Sequence, residues 1–154
     1  MPEDLRLLDD YRDSFSSVLD RALSAIRRNM SVEPAARIKV VRSMVEKLRR
    51  GSTRLSRIQD IAGCRFTTLD VIHQNMAVQA LRRLYPGADV TDRRFRPSHG
   101  YRAVHVIPMI DGKPVEIQVR TMLQHLWASS SERIADSVDP AVKYGGGPAW
   151  ARDR

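Results

Sequence analysis

Apolar positions recur along this chain with two periods, and the elements change where the period changes. Leu5, Leu8, Tyr11, Phe15, Val18, Leu19, Leu23 and Ile26 follow at helical spacing, which predicts one amphipathic helix over residues 3–29. A second helix is predicted from about Pro34 to Arg50, with Gly51 as its stop. "IQDIAGCRFTTL" turns into a strand near Gly63, and "VIHQNMAVQALRRLYP" reads as a third helix closed by Pro86 and Gly87. "ADVTDRRF" is a short strand and "YRAVHVIPMI" a longer one. Asp111 and Gly112 then form a hairpin turn that returns the chain as "KPVEIQVRT". A last helix runs from Met122 to about Val138, followed by the loop "KYGGGPAW". With no repeat or low-complexity linker, residues 1–154 are expected to form a single α+β domain. Its sheet is mostly antiparallel or mixed, of about four to five strands flanked by helices.

Strand alternation sorts the faces of that sheet. Val104 and Val106 point one way, and Tyr101, Ala103 and His105 the other. Val115, Ile117 and Val119 oppose Glu116, Gln118 and Arg120, and Cys64 and Phe66 oppose Arg65 and Thr67. With the apolar faces turned to the helices, the remaining face is a floor of Arg65, Tyr101, His105, Glu116, Gln118 and Arg120. Such a floor is too polar for a core and too specific for a solvated surface. It suits an anionic ligand that carries a ring, and a nucleotide is the obvious candidate.

Composition narrows the classes. A hydrophobic fraction of 42% and a charged fraction of 29% exclude a disordered chain. No apolar run approaches the roughly 20 residues that span a bilayer, so no membrane partner is expected. The acidic, amphipathic start "MPEDLRLLDD" is unlike a signal or transit peptide, which makes the cytoplasm the expected compartment. The single Cys64 excludes an intramolecular disulfide and a cysteine-rich metal site, and its apolar surroundings read as core. A net charge of +8 favours polyanions, with the cations crowded between Arg37 and Arg65 and again in "TDRRFRPSHGYR".

Four motifs in order carry a resemblance: "RIKVVRSMVEKL", "DIAGCR", "GYRAVH" and "EIQVRT", within residues 34–145. The chain resembles the synthetase domain of the RelA/SpoT family, pyrophosphokinases that make alarmone nucleotides. No His-Asp dipeptide occurs, so the hydrolase domain of the long members is expected to be absent. The resemblance implies Mg²⁺-dependent transfer of the β,γ-pyrophosphate of ATP to a ribose 3′-hydroxyl, most simply that of GDP or GTP. It assigns Asp60 and Glu116 to the metal, with Glu116 also the base for the 3′-hydroxyl. Arg37 and Arg65 match the pair that sandwiches adenine, and Lys39, Ser43 and Lys47 match a phosphate-binding helix face. Tyr101 matches the aromatic that stacks on the acceptor base, with Arg102, His105 and Gln118 at further acceptor-side or phosphate-side positions.

Plainer readings stand beside these. Asp60 also reads as an N-cap, Tyr101 as a half-buried strand residue, His105 as structural, and Lys39 and Lys47 as a solvated helix face. His73, His99 and His125 are expected on loop and helix surfaces, and Leu126 and Trp127 in the core. The acceptor side departs from the family pattern: Pro97 replaces a lysine, Ala103 a serine, and Ser131 and Glu132 a Glu-His pair. These departures resemble a divergent, often toxic branch, some members of which modify the tRNA 3′ end or make adenosine alarmones. Arg93, Arg94 and Arg96 are then candidate RNA contacts, with Arg49, Arg50, Arg54 and Arg57 as a second cluster. A neutralising antitoxin partner and a monomer or weak homo-oligomer are expected. A catalytically inactive nucleotide- or RNA-binding relative is the remaining alternative.

Overall fold

The alternation of residues 113–121 becomes the central strand of a six-stranded mixed sheet, seen in a computed structural model that describes residues 3–51 and 54–138. In chain order the strands are β1 (Ala35–Ile38), β2 (Ala62–Thr68), β3 (Asp89–Asp92), β4 (Val104–Ile107), β5 (Met109–Ile110) and β6 (Lys113–Thr121). They lie in the order β1-β2-β6-β4-β3, with β5 pairing only β6; β2 and β6 are parallel and the other pairings antiparallel. Pro108, which has no backbone donor, separates β4 from β5. The hairpin between β5 and β6 turns on Asp111 and Gly112 at φ 49° and 74°, the positive pair that a tight turn of this hand requires.

Five helices accompany the sheet: α1 (Glu3–Asp13), α2 (Ser16–Asn29), α3 (Val41–Arg50), α4 (Val71–Leu84) and α5 (Met122–Ser137). The long first helix predicted from spacing is broken between α1 and α2. The Ser14 hydroxyl donates to the Tyr11 carbonyl at 2.6 Å, competing with helix continuation, and Phe15 turns into the core, fully buried. Lys113 Nζ donates to the Ser14 carbonyl freed by the break, at 2.8 Å. The predicted helix over 34–50 is likewise half wrong. Pro34 biases its predecessor towards extended backbone, and the free edge of β2 then pairs residues 35–38 as a strand. Helix begins only at Val41, so Lys39 lies in the connection, its N–H donating to the Ile61 carbonyl at 2.8 Å.

One apolar layer seals the fold. Val18, Leu19, Ala22, Leu23 and Ile26 of α2, with Ala77, Val78 and Leu81 of α4, cover Cys64, Phe66, Val104, Val106, Val115, Ile117 and Val119. Gln74 of α4 is buried among them and is satisfied by the Val119 carbonyl and Gln124 Oε1, at 2.8 and 2.9 Å. Leu126 is not core but 55% exposed, because α5 turns that side outward; Trp127 is half-buried instead, packed on Gly100. Gly100 sits at φ 81°, and a Cβ there would come within 2.5 Å of the Trp127 ring.

Gly63 holds β2 and β6 close at the site described below. A Cβ there would meet the Glu116 carbonyl at 2.7 Å, inside van der Waals contact with backbone. Gly63→Ala is therefore expected to cost about 1–3 kcal/mol of stability by forcing the strands apart. Thermal melts check this; an unchanged Tm would mean that the strands spread freely.

Candidate active site

Register places the polar floor in one row. Glu116 pairs with Gly63, Gln118 with Arg65 across the parallel ladder, and His105 with Gln118 across the antiparallel one. Arg37 pairs with Gly63 and Arg65 with Ala35, so the two arginines share a face on a diagonal. Diagonal positions lie roughly 7–8 Å apart, enough to admit one flat ring between two guanidinium planes. Each arginine stands opposite a residue with little or no side chain, which leaves that gap open. Both line a pocket of about 150 Å³ together with Lys39, Asp60, Cys64, Glu116 and Gln118.

The two carboxylates are held ionised by different partners. Asp60 lies in the loop before β2 with no helix after it, so the N-cap reading fails. Its Oδ2 takes a hydrogen bond from Lys39 and its Oδ1 one from Lys47, both at 2.8 Å. Burial alone would raise its pKa; the two ammonium partners outweigh that and bring it below the ordinary aspartate value. Glu116 follows the same balance. Burial pushes it up, but His105 Nδ1 at 2.8 Å and Gln118 Nε2 at 2.6 Å bring it below the usual range, against some repulsion from Asp60.

His105 is buried, with Nε2 2.9 Å from the Tyr101 hydroxyl, so both of its nitrogens are engaged inside the protein. Lys39 and Lys47 reach the site from a loop and a helix rather than from one helix face. Ser43 stands one turn before Lys47 on α3, half-buried. Arg102 is exposed and is not among the residues lining the pocket. Arg94 is spent on structure: it forks onto Asp92 at 2.6 and 2.9 Å and reaches Asn75 of α4 at 2.6 Å, pinning the loop after β3. Arg93 is half-buried and Arg96 exposed in that same loop. Arg54 is exposed in the second basic cluster, whereas the side chain of Arg50 and the loop "KYGGGPAW" lie outside the described residues.

His125 gains a place that spacing did not give it, and Arg120 keeps the one that alternation gave. His125 of α5 is near the polar floor; burial lowers its pKa, and Arg65 and Arg120 lower it further against Glu132. Arg120, on the expected face, is 3% exposed and bonds Gln118 and Tyr101. Its alternation with Glu116 and Gln118 placed it on the floor, without giving it a role there.

Asp60 and Glu116 offer hard oxygen ligands on one pocket, and among the described residues no group of three or more ligating side chains forms a cage. Two carboxylates with room for phosphate oxygens and water fit Mg²⁺.

Solved structures share this arrangement of sheet and helices. The small alarmone synthetase 1 from Bacillus subtilis, bound to its product pppGpp, superposes with a TM-score of 0.73 at 21% identity, over 90% of this chain and 86% of that one. The type VI effector Tas1, in complex with its immunity protein, is more distant, with a TM-score of 0.57 at 17% identity over 79% of this chain and 63% of that one. The fold is thus that of the small alarmone synthetases. The chain belongs to the RelA/SpoT family: the family model for the region found in RelA / SpoT proteins matches residues 36–135. Among curated relatives, the uncharacterized protein Rv1366 of Mycobacterium tuberculosis is 37% identical over 113 residues, which cover 71% of this chain. The matched region spans 41% of that relative's length.

Proposed function

We propose that this protein is a pyrophosphokinase that transfers the β,γ-pyrophosphate of ATP to the 3′-hydroxyl of GDP or GTP. The observation that carries the reading is the shared pocket of Asp60, Glu116, Arg37 and Arg65. Arg37 and Arg65 take the adenine between them, while Lys39 and Lys47 exchange Asp60 for the donor phosphates. Asp60 and Glu116 would hold Mg²⁺, which supplies neutralisation of phosphate charge. The acceptor 3′-oxygen bonds to the β-phosphorus as the bond from that phosphorus to the α,β-bridging oxygen breaks. AMP leaves, and the hydroxyl proton passes to Glu116. Positioning and charge neutralisation carry most of such a reaction, in keeping with a pocket lined by arginine and lysine. Ionised carboxylates at both positions favour this over an inactive binding protein.

Tyr101 serves the acceptor base. Tyr101→Ala is expected to weaken the acceptor by about 1–3 kcal/mol with ATP affinity unchanged. Titrations of both nucleotides check this; equal losses would place Tyr101 in the fold alone.

A tRNA 3′ end is the second reading, favoured by Phe95, which is 83% exposed in the basic loop beside Arg93 and Arg96. An exposed aromatic among cations suits single-stranded RNA. The immunity partner of Tas1 makes a neutralising protein the corresponding proposal for this chain. Incubation with γ-labelled ATP and, separately, GDP, GTP, ADP, ATP and deacylated tRNA decides among acceptors. Label on GDP or GTP supports the first reading. Label on tRNA alone, lost on Arg93→Ala with Arg96→Ala, supports the second. Arg94 is unsuitable for that test because its loss would free the loop.

A further inference from the structure

Arg120 is a buried cation whose hydrogen bonds all lead into the site. It is 3% exposed, and a guanidinium so placed is costly unless an anion answers it. Among the described residues no carboxylate pairs with it, and its Nε and Nη1 have no partner. Both of its hydrogen bonds leave from Nη2, to Gln118 Oε1 at 2.8 Å and to the Tyr101 hydroxyl at 3.2 Å. Each acceptor then passes a bond onward to the same place. Gln118 Nε2 donates to Glu116 Oε2 at 2.6 Å. The Tyr101 hydroxyl meets His105 Nε2 at 2.9 Å, and His105 Nδ1 meets Glu116 Oε1 at 2.8 Å.

Five side chains therefore close a ring, with cation and carboxylate joined by two arms. With the His105 proton on Nδ1, every donor of the longer arm points from Arg120 towards Glu116. Dipoles aligned in this way reinforce one another. An arginine kept for the fold would tie Nε and Nη1 to neighbouring elements; this one bonds only site residues. Its guanidinium also lies 5.0 Å from the centroid of the Tyr101 ring.

We propose that Arg120 is a positioning residue for the acceptor half of the site, fixing the Gln118 amide, the Tyr101 ring and, through them, the Glu116 carboxylate. The inference rests on the transfer reading above, because it assigns Arg120 to the acceptor of that reaction. The donor-side residues Arg37, Lys39 and Asp60 make no bond to it.

The test compares wild type with Arg120→Met and Arg120→Lys in acceptor kcat/KM, ATP affinity and Tm. Met is expected to cut acceptor kcat/KM by about ten- to a hundredfold while ATP binds as in wild type. Lys, which keeps the charge on a side chain one bond shorter, is expected to recover part of the loss. Unchanged acceptor kcat/KM in the Met variant overturns the proposal. So does a parallel fall in ATP affinity with Lys no better than Met, which marks a structural role. Should the Met variant not fold, Tyr101→Phe opens the longer arm while keeping the ring, and is expected to lower kcat with acceptor KM preserved; an unchanged kcat overturns the proposal. Wild type that labels no acceptor overturns the transfer reading itself. Wild type that transfers beside an indistinguishable Met variant overturns this inference alone.

Discussion

Glu116→Gln is expected to all but abolish transfer while leaving ATP bound. The substitution keeps the size of the side chain and removes the charge proposed to accept the hydroxyl proton, a loss of about 10²–10⁴ in rate for a general base. His105 Nδ1 and Gln118 Nε2 both donate to the present carboxylate. An amide can accept only at its oxygen, so one of those two bonds is lost as well. ATP affinity is expected to hold, because the proposed reading gives the adenine and phosphate contacts to Arg37, Arg65, Lys39 and Lys47. Single-turnover kinetics with a separate binding titration check both halves. A variant that turns over at the wild-type rate would remove Glu116 from the reaction.

Asp60→Asn has the second large effect, and it reaches both activity and stability. Asparagine withdraws a hard anionic ligand, so transfer should require much higher Mg²⁺. It also leaves Lys39 and Lys47 without their shared counter-charge, Lys39 with a side chain only 14% exposed. Because the Lys47 end is open to solvent at 44%, the cost in the metal-free protein is expected to be only about 1–2 kcal/mol. The pH dependence follows from the depressed Asp60 pKa. A carboxylate held below its unfolded pKa stabilises the fold above that value, and the contribution is lost as pH falls through the folded pKa. Wild type should thus lose stability in acid below the ordinary aspartate range, and the Asn variant should lose less over the same window. Magnesium titrations and acid melts read the two effects. Curves that overlay wild type would confine Asp60 to the loop it occupies.

Much of this site was legible because strand alternation is a strict rule. The floor of Arg65, His105, Glu116, Gln118 and Arg120 followed from the period of two, and the hairpin at Asp111 from the need for positive φ. Tyr101, by contrast, reaches the floor from before β4, which begins only at Val104. What failed was decided by tertiary contacts that spacing does not carry. Residues 35–38, Ala-Ala-Arg-Ile, are mostly good helix formers, and the unpaired edge of β2 made them a strand all the same. Lys39 and Lys47 looked aligned on one helix, yet they converge on Asp60 from two elements. Helical spacing continued through Ser14 although the helix did not, since a burial period records which side faces inward and not whether the backbone is unbroken. Arg94 looked like a free cation and is bound to Asp92 two residues away, a local fork that charge counting cannot see.

The proposed transfer cleaves ATP between its α- and β-phosphates. Parallel incubations with α-labelled and γ-labelled ATP, Mg²⁺ and GDP or GTP, with products separated by charge, read this directly. The α-label is expected as AMP and the γ-label in the acceptor, in equal amounts, with both signals lost in Glu116→Gln. Release of ADP in place of AMP, or γ-label recovered only as inorganic phosphate, would contradict it.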